Sequence, residues 1–140
     1  MPDPARQADA TLHIGDVAER VGLSLRTVRY YEEQGLIQPA GRTQGGFRLY
    51  TDEQVDRLLL IKQMKPLGFT VQQMCELLSA RDDLVHPDPQ RRREAEKELA
   101  GFAADAAERC DRLRTDLERA DAFARQLADL PARSRTGEQA

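Results

Sequence analysis

The sequence predicts a mainly α-helical fold: a small helical domain carrying one β-hairpin, followed by a single long helix. Three observations predict it. Ala, Leu, Arg, Glu and Asp are plentiful, aromatic residues make up 5% of the 140 residues, and there is no tryptophan; such a composition favours helices. Apolar residues recur at helical spacing in several consecutive segments. One stretch, Gln38 to Tyr50, departs from that spacing and contains Pro39, Gly41, Gly45 and Gly46.

The elements follow in order. Met1 to Ala10 is polar, contains Pro2 and Pro4, and is expected to be a disordered N-terminal tail (1–10). Ile14, Val17, Ala18 and Val21 recur at helical spacing, and Gly22 ends that helix. Ser24 can cap the next helix, with Leu23 and Val28 placed as a hydrophobic staple. This second helix is expected to run to about Gln34, where Gly35 stops it. Two helices joined by so short a turn form a helix-turn-helix unit. After Pro39 and the glycines, Phe47, Arg48, Leu49 and Tyr50 alternate as a short strand, so a small hairpin, or wing, is expected there.

Thr51 opens a third helix as a capping box with Gln54. Val55, Leu58, Leu59, Ile61 (or Lys62) and Met64 form its expected apolar face. Lys65-Pro66-Leu67-Gly68-Phe69 breaks it, and Thr70 caps a fourth helix with Val71, Met74, Leu77 and Leu78 inward. The winged domain is therefore set at 11–80 and a linker at 81–89, followed by a helix over 90–130 and a disordered tail over 131–140. Leu99, Phe102, Ala106, Cys110, Leu113, Leu117, Ala120, Ala124 and Leu127 form the seam of the long helix. Eight steps over 28 residues average 3.5, the coiled-coil period. Such a helix cannot bury its seam by itself, and a second copy of the chain is the expected partner, making a homodimer.

Composition and charge narrow the function. No run approaches 18 consecutive apolar residues, and the first ten residues lack the apolar core of a secretory signal, so no membrane association and a cytoplasmic location are expected. The net charge of −3 is unlike that of a nucleic-acid binder as a whole. Its distribution is uneven. Arg20 to Arg48 holds five arginines against Glu32 and Glu33, whereas Arg81 to Leu130 holds ten basic and thirteen acidic residues. A basic patch on a small domain is the relevant footprint. Cys75 and Cys110 are 35 positions apart, which is no zinc spacing, and with His13 and His86 they make no metal set. No metal and no cofactor are expected. Paired carboxylates, a nucleophile–base arrangement and a phosphate loop are all absent, which argues against an enzyme.

The second helix presents Arg26, Arg29, Tyr30 and Glu33 on one side, with Leu25, Val28 and Tyr31 on the other and Thr27 at the boundary. Arginine can reach guanine edges bidentately, and hydroxyls can bond phosphates or bases. Taken alone, two arginines on an exposed helix face are as readily a solvated surface. The wing offers Arg42, Arg48 and Tyr50. Lys65, with the amides of Gly68 and Phe69, could add a phosphate contact, although Pro66-Leu67-Gly68 is equally a simple turn. With Ser24, these residues make up the expected DNA-facing set.

Ile14-Gly15-Asp16-Val17-Ala18, Arg26-Thr27-Val28-Arg29-Tyr30-Tyr31-Glu32 with Gly35-Leu36, Gly46-Phe47-Arg48-Leu49-Tyr50 and Leu67-Gly68-Phe69-Thr70 stand in an order and spacing that resembles the mercury-resistance regulator (MerR) family. The resemblance covers about residues 12 to 80. It implies a winged helix-turn-helix with an antiparallel dimerisation helix. It further implies a homodimer bound to a palindrome in double-stranded promoter DNA. That DNA is distorted so that RNA polymerase, contacted only through the promoter, can engage both promoter elements. It assigns recognition-helix contacts to Arg26, Thr27, Arg29 and Tyr30, and wing contacts to Arg42, Arg48 and Tyr50. The chain departs from the metal-sensing branch: Arg91-Arg92-Arg93 stands where that branch has a cysteine, and no Cys or His follows Cys110. An excisionase-like architectural DNA-binding protein is the alternative reading. Cys75 and Cys110 are read as small apolar residues, with a thiol sensor as the alternative.

Overall fold

The computed structural model describes residues 12–138, so the expected N-terminal tail lies outside the described residues. The chain divides into two compact units, one up to Leu99 and one from Ala100.

The first unit begins with helix α1 (Ile14–Val21), which ends at Gly22 in the left-handed conformation, φ 69°. A side chain is disfavoured there twice over. The positive φ suits glycine, and a Cβ would sit 3.0 Å from the Lys62 ammonium. That ammonium donates to the Val21 carbonyl at 2.8 Å, placing a cation on the last turn of α1. Helix α2 (Leu25–Glu33) is capped by Ser24, whose Oγ accepts from the Thr27 amide at 3.1 Å. The hairpin pairs β1 (Gly41–Arg42) with β2 (Arg48–Leu49) in antiparallel register, Gly41 opposite Leu49 and Arg42 opposite Arg48. Helix α3 (Asp52–Met64) starts from the Thr51–Gln54 capping box. A short 3₁₀ turn over Lys65–Leu67 leads through Gly68 to α4 (Val71–Asp83), capped by Thr70. Helix α5 (Pro89–Glu138) is a single element of 50 residues.

Val17 and Val21 of α1, Val28 of α2, Leu58 and Ile61 of α3, and Leu78 of α4 are fully buried, together with Leu36 and Ile37 from the segment after α2. Each such aliphatic side chain contributes about 1.5–3 kcal/mol through removal from water. Tyr50 is the largest fully buried side chain. It also closes the domain at the backbone: its amide donates to the Leu12 carbonyl at 2.7 Å and its carbonyl accepts from the Leu12 amide at 3.1 Å. The N-terminal segment thereby becomes a third pairing partner beside the hairpin. No periodicity in the sequence announced it, because one bridged residue has no period.

Several expected boundaries and faces differ. The strand expected from Phe47 is confined to Arg48–Leu49, since Phe47 belongs to the turn. Leu59 is 38% exposed while Val55, Leu58, Ile61 and Met64 are buried; a residue one step past Leu58 is rotated about 100° away from the core. Leu25, expected inward on α2, is 43% exposed. Helix α4 runs to Asp83, past the expected domain end at 80, because Arg81-Asp82-Asp83 contains no breaker and both acids find arginines: Asp82 pairs with Arg57 at 2.6 Å and Asp83 with Arg91 at 3.5 Å. The connection to α5 is correspondingly shorter. Helix α5 starts one residue before the expected Gln90, with Pro89 in its first position, where a missing N–H costs nothing. Asp88 accepts the Gln90 amide at 2.9 Å, and His86 Nδ1 accepts the Asp88 amide at 3.0 Å. His86 thus shapes the entry to the helix. At its far end α5 continues beyond the expected stop at Leu130, through Pro131, to Glu138; only the last two residues of the expected tail lie outside the described residues.

Candidate nucleic-acid interface

Helix α2 carries the expected recognition face. Arg26 and Arg29 are exposed, and Tyr30 is 44% exposed. The Tyr30 ring leans on Tyr31, with centroids 5.6 Å apart and planes at 53°. Tyr31 is buried, and its phenol is raised above the usual range, first by burial and then by the neighbouring Tyr30. Ser24 and Thr27 are partly engaged with each other: their hydroxyls lie 2.9 Å apart, and the Ser24 oxygen also caps the helix. Both hydroxyls are committed to starting the helix, which fixes the orientation of the arginines that follow.

The 3₁₀ turn carries Lys65, the cation expected to add a phosphate contact. A groove of about 460 Å³ is lined by Arg26, Thr27, Tyr30 and Tyr31 on one side and by Lys65, Phe69, Val71 and Met74 on the other. Lys65 therefore lines the same groove as Arg26 although it lies 39 positions after it. The expected use of the Gly68 amide as a phosphate donor does not survive, because that amide donates to the Lys65 carbonyl at 3.0 Å.

The wing is built by its turn. Thr43 donates its amide to the Phe47 carbonyl at 2.8 Å, and its Oγ1 accepts the Phe47 amide at 3.2 Å. The Gly46 amide donates to the Thr43 carbonyl at 2.9 Å, and Gly46 takes φ 81°, a value that glycine adopts without penalty. Phe47 is 68% exposed at this tip. Arg42 and Arg48 are register partners, so two like charges stand opposite each other on one face. Such a pair is destabilising unless an anion intervenes. Glu32, at the end of α2, supplies one: its carboxylate accepts from the Arg48 guanidinium and from the Tyr50 hydroxyl.

That arrangement corrects one expected contact. Tyr50 is fully buried and its hydroxyl is spent on Glu32, so it is a core residue of the wing base and no surface contact. Its phenol is pushed up to about 12, mainly by burial and then by the hydrogen bond and charge of Glu32, which Arg48 only partly offsets. From the sequence, Glu32 is an acid that dilutes the basic patch and the last residue of the Arg26–Glu32 segment. A signal is present in the sequence, since Glu32 and Glu33 close an arginine-rich helix and each invites the question of what neutralises it.

The expected DNA-facing cations thus divide. Arg48 has an internal acidic partner. Among the described residues, Arg26, Arg29, Arg42 and Lys65 have none within ion-pair distance, whereas Arg20, Arg57, Arg91, Arg109 and Arg114 do.

The expected dimer seam lies on α5. Leu99, Phe102, Ala106 and Cys110 are part-buried, Leu113, Leu117 and Leu127 are 47%, 61% and 49% exposed, and Ala120 and Ala124 are exposed. Phe123 and Leu130, at 59% and 48%, widen the stripe and were not among the expected seam positions. Cys75 and Cys110 are free thiols, each part-buried. Among the described residues no three His, Cys, Asp or Glu side chains gather as a metal site, and no helix is long and apolar enough to cross a membrane.

Comparison with known proteins places this geometry. The family model of MerR HTH family regulatory proteins matches residues 12–81. The mercuric resistance operon regulatory protein of Bacillus cereus is 38% identical over 110 residues, covering 69% of this chain and 83% of that protein. The HTH-type transcriptional regulator ZntR of Escherichia coli (strain K12) is 42% identical over 73 residues, so that the match spans about half of each protein, 52% in both cases. Among solved structures, HiNmlR, a MerR family regulator lacking the sensor domain and bound to promoter DNA, is similar with a TM-score of 0.72 at 20% identity, covering 90% of both chains. At that identity the likeness is one of fold.

Proposed function

The chain belongs to the MerR helix-turn-helix family of regulatory proteins, and from that premise we propose that it binds a palindromic operator in double-stranded promoter DNA as a homodimer. Its relatives are transcriptional regulators and not enzymes. The observation that carries the DNA-binding reading is that Arg26, Thr27, Tyr30 and Lys65 gather around one groove, on the helix that also exposes Arg29. Arg26, Arg29 and Lys65 border one groove or helix face without internal acidic partners, and Arg42 stands on the hairpin in the same condition. Unpaired guanidinium groups on a helix and a hairpin suit a polyanion that offers base edges to one and phosphates to the other.

In this reading Arg26 and Arg29 read bases, with Thr27 and Tyr30 at the edge of the contact. Arg42, Lys65 and the outer side of Arg48 hold phosphates, and Ser24 acts by setting the start of the helix. That the structural neighbour HiNmlR is bound to promoter DNA supports it. The open stripe from Leu113 to Leu130 supports the dimer, because a second copy is the partner that a self-complementary apolar seam suits best. The dimer distorts the promoter spacer and so controls RNA polymerase without touching it, and the protein works in the cytoplasm, where its DNA is.

The test is selection of binding sequences from a random duplex pool, followed by footprinting. The expected result is one enriched palindrome protected over two half-sites. Sequence-indifferent coating along the duplex would instead support an architectural, excisionase-like role.

A further inference from the structure

Glu32 is an acid where two physical arguments disfavour one. It lies near the C-terminal end of α2, where the helix dipole is unfavourable to negative charge. It also sits on the helix that carries Arg26 and Arg29, the residues turned toward a polyanion in the function proposed above, on which this inference rests. Its side chain is only 13% exposed, and a buried carboxylate is costly unless paired and hydrogen-bonded. Both conditions are met by residues 16 and 18 positions away, the Arg48 guanidinium and the Tyr50 hydroxyl.

We propose that Glu32 is a positioning residue for sequence discrimination, the strut that locks the wing to the recognition helix so that both address DNA in one fixed register. The hairpin needs such a strut. Its strands are two residues each, far short of what a hairpin requires to hold itself in water. The Leu12–Tyr50 backbone bridge ties β2 to the N-terminal segment. Glu32 joins this strand to α2 by side chains, at Arg48 and at Tyr50 two residues on, positions that share one face of an extended chain.

Specific binding needs base-reading and phosphate-holding groups in register, whereas non-specific binding needs only the positive charge. Loosening the strut therefore weakens specific binding and spares non-specific binding. Removing the carboxylate charge also raises affinity for any duplex. That charge effect acts on both duplexes alike and cancels in the ratio, so the lost register alone lowers discrimination.

The experiment compares Kd for a duplex enriched by the wild-type chain from a random pool with Kd for the unselected pool of the same length. Glu32→Gln keeps a carbonyl acceptor for Tyr50 and loses the ion pair. We expect it to lower the selected-to-random ratio roughly five- to tenfold while its circular dichroism and thermal midpoint stay close to wild type. Arg48→Ala breaks the pair from the exposed side, which keeps the test open if Glu32→Gln fails to fold. If Arg48 only held a phosphate, both duplexes would weaken alike and the ratio would stay unchanged. The double variant should show a ratio no lower than the worse single variant. A wild-type ratio in folded Glu32→Gln, an unchanged ratio in Arg48→Ala, or effects that multiply in the double variant would overturn the inference while leaving the DNA-binding function standing. A wild-type chain that enriches no sequence would overturn that function, and this inference with it.

Discussion

At the scale of single residues, burial and partners sort side chains that look alike in the sequence. Arg29 and Arg48 are both arginines in an arginine-rich segment, yet only Arg48 has an acidic partner among the described residues. Arg29→Ala should weaken binding to the selected duplex by about 1–3 kcal/mol if it reads a base. A filter-binding or fluorescence titration that finds no loss would remove Arg29 from the readout. Arg42→Ala should weaken all duplexes alike and lower the slope of log K against log salt by about one unit; a selective loss at one base position would contradict a phosphate role. Tyr50 makes a different prediction. Its phenol titrates near 10 in the unfolded chain and at about 12 in the fold. The fold binds that proton more tightly, so the stability it confers is complete below pH 10 and is lost as pH rises to about 12. Tyr50→Phe should be less stable at neutral pH by about 1–3 kcal/mol, because Glu32 loses a donor. It should also lose less stability than wild type between pH 9 and 11.5. Urea unfolding at the two pH values measures this, and equal losses would show that Tyr50 does not titrate as described. Residues of this kind were only half legible in the sequence. Arg26 and Arg29 could be placed by helical spacing alone. The burial of Tyr50 and the pairing of Glu32 could not, because both depend on a hairpin folding back onto a helix end.

At the scale of elements, what the sequence disclosed followed from local chemistry. Ser24, Thr51 and Thr70 each announced a helix start, and each start is where the cap lies. Gly22 announced a stop and provides it. Where a boundary was set by partners from elsewhere, the reading stopped short. Helix α4 reaches Asp83 because Arg57 and Arg91 hold its acids, and neither arginine is near in sequence to the acid it holds except through the turn before α5. The strand is shorter than its pattern suggests for a related reason: Phe47 alternates with Leu49, but the Thr43 hydroxyl accepts its amide within the turn. Ser24→Ala tests the capping argument. It should cost about 0.5–2 kcal/mol of stability and, because the cap orients Arg26 and Arg29, should weaken DNA binding by more than its thermal shift accounts for. A variant as stable as wild type would show that Thr27 or water replaces the cap.

At the scale of the whole molecule, the proposed function requires a symmetric pair of chains on one palindrome. The apolar stripe of α5 from Leu113 to Leu130 lies open in the single chain, and water penalises such surface at about 25 cal/mol per Å². Leu113→Glu with Leu117→Glu would put charge into a dimer seam at high cost but would be nearly neutral on a solvent-facing helix. That double variant should sediment as a monomer and lose affinity for the selected duplex at the same protein concentration. The period of the stripe is readable from the sequence; its widening by Phe123 and Leu130 is not, because a single seam of 3.5-residue steps passes through Ala124 and Leu127 instead. One measurement tests the central claim most directly: hydroxyl-radical footprinting on the selected duplex, with the mass of the complex read by sedimentation on the same sample. Two chains per duplex and two protected half-sites related by a two-fold axis are expected. One chain per duplex with a single protected patch, or protection spreading evenly along the DNA, would contradict it.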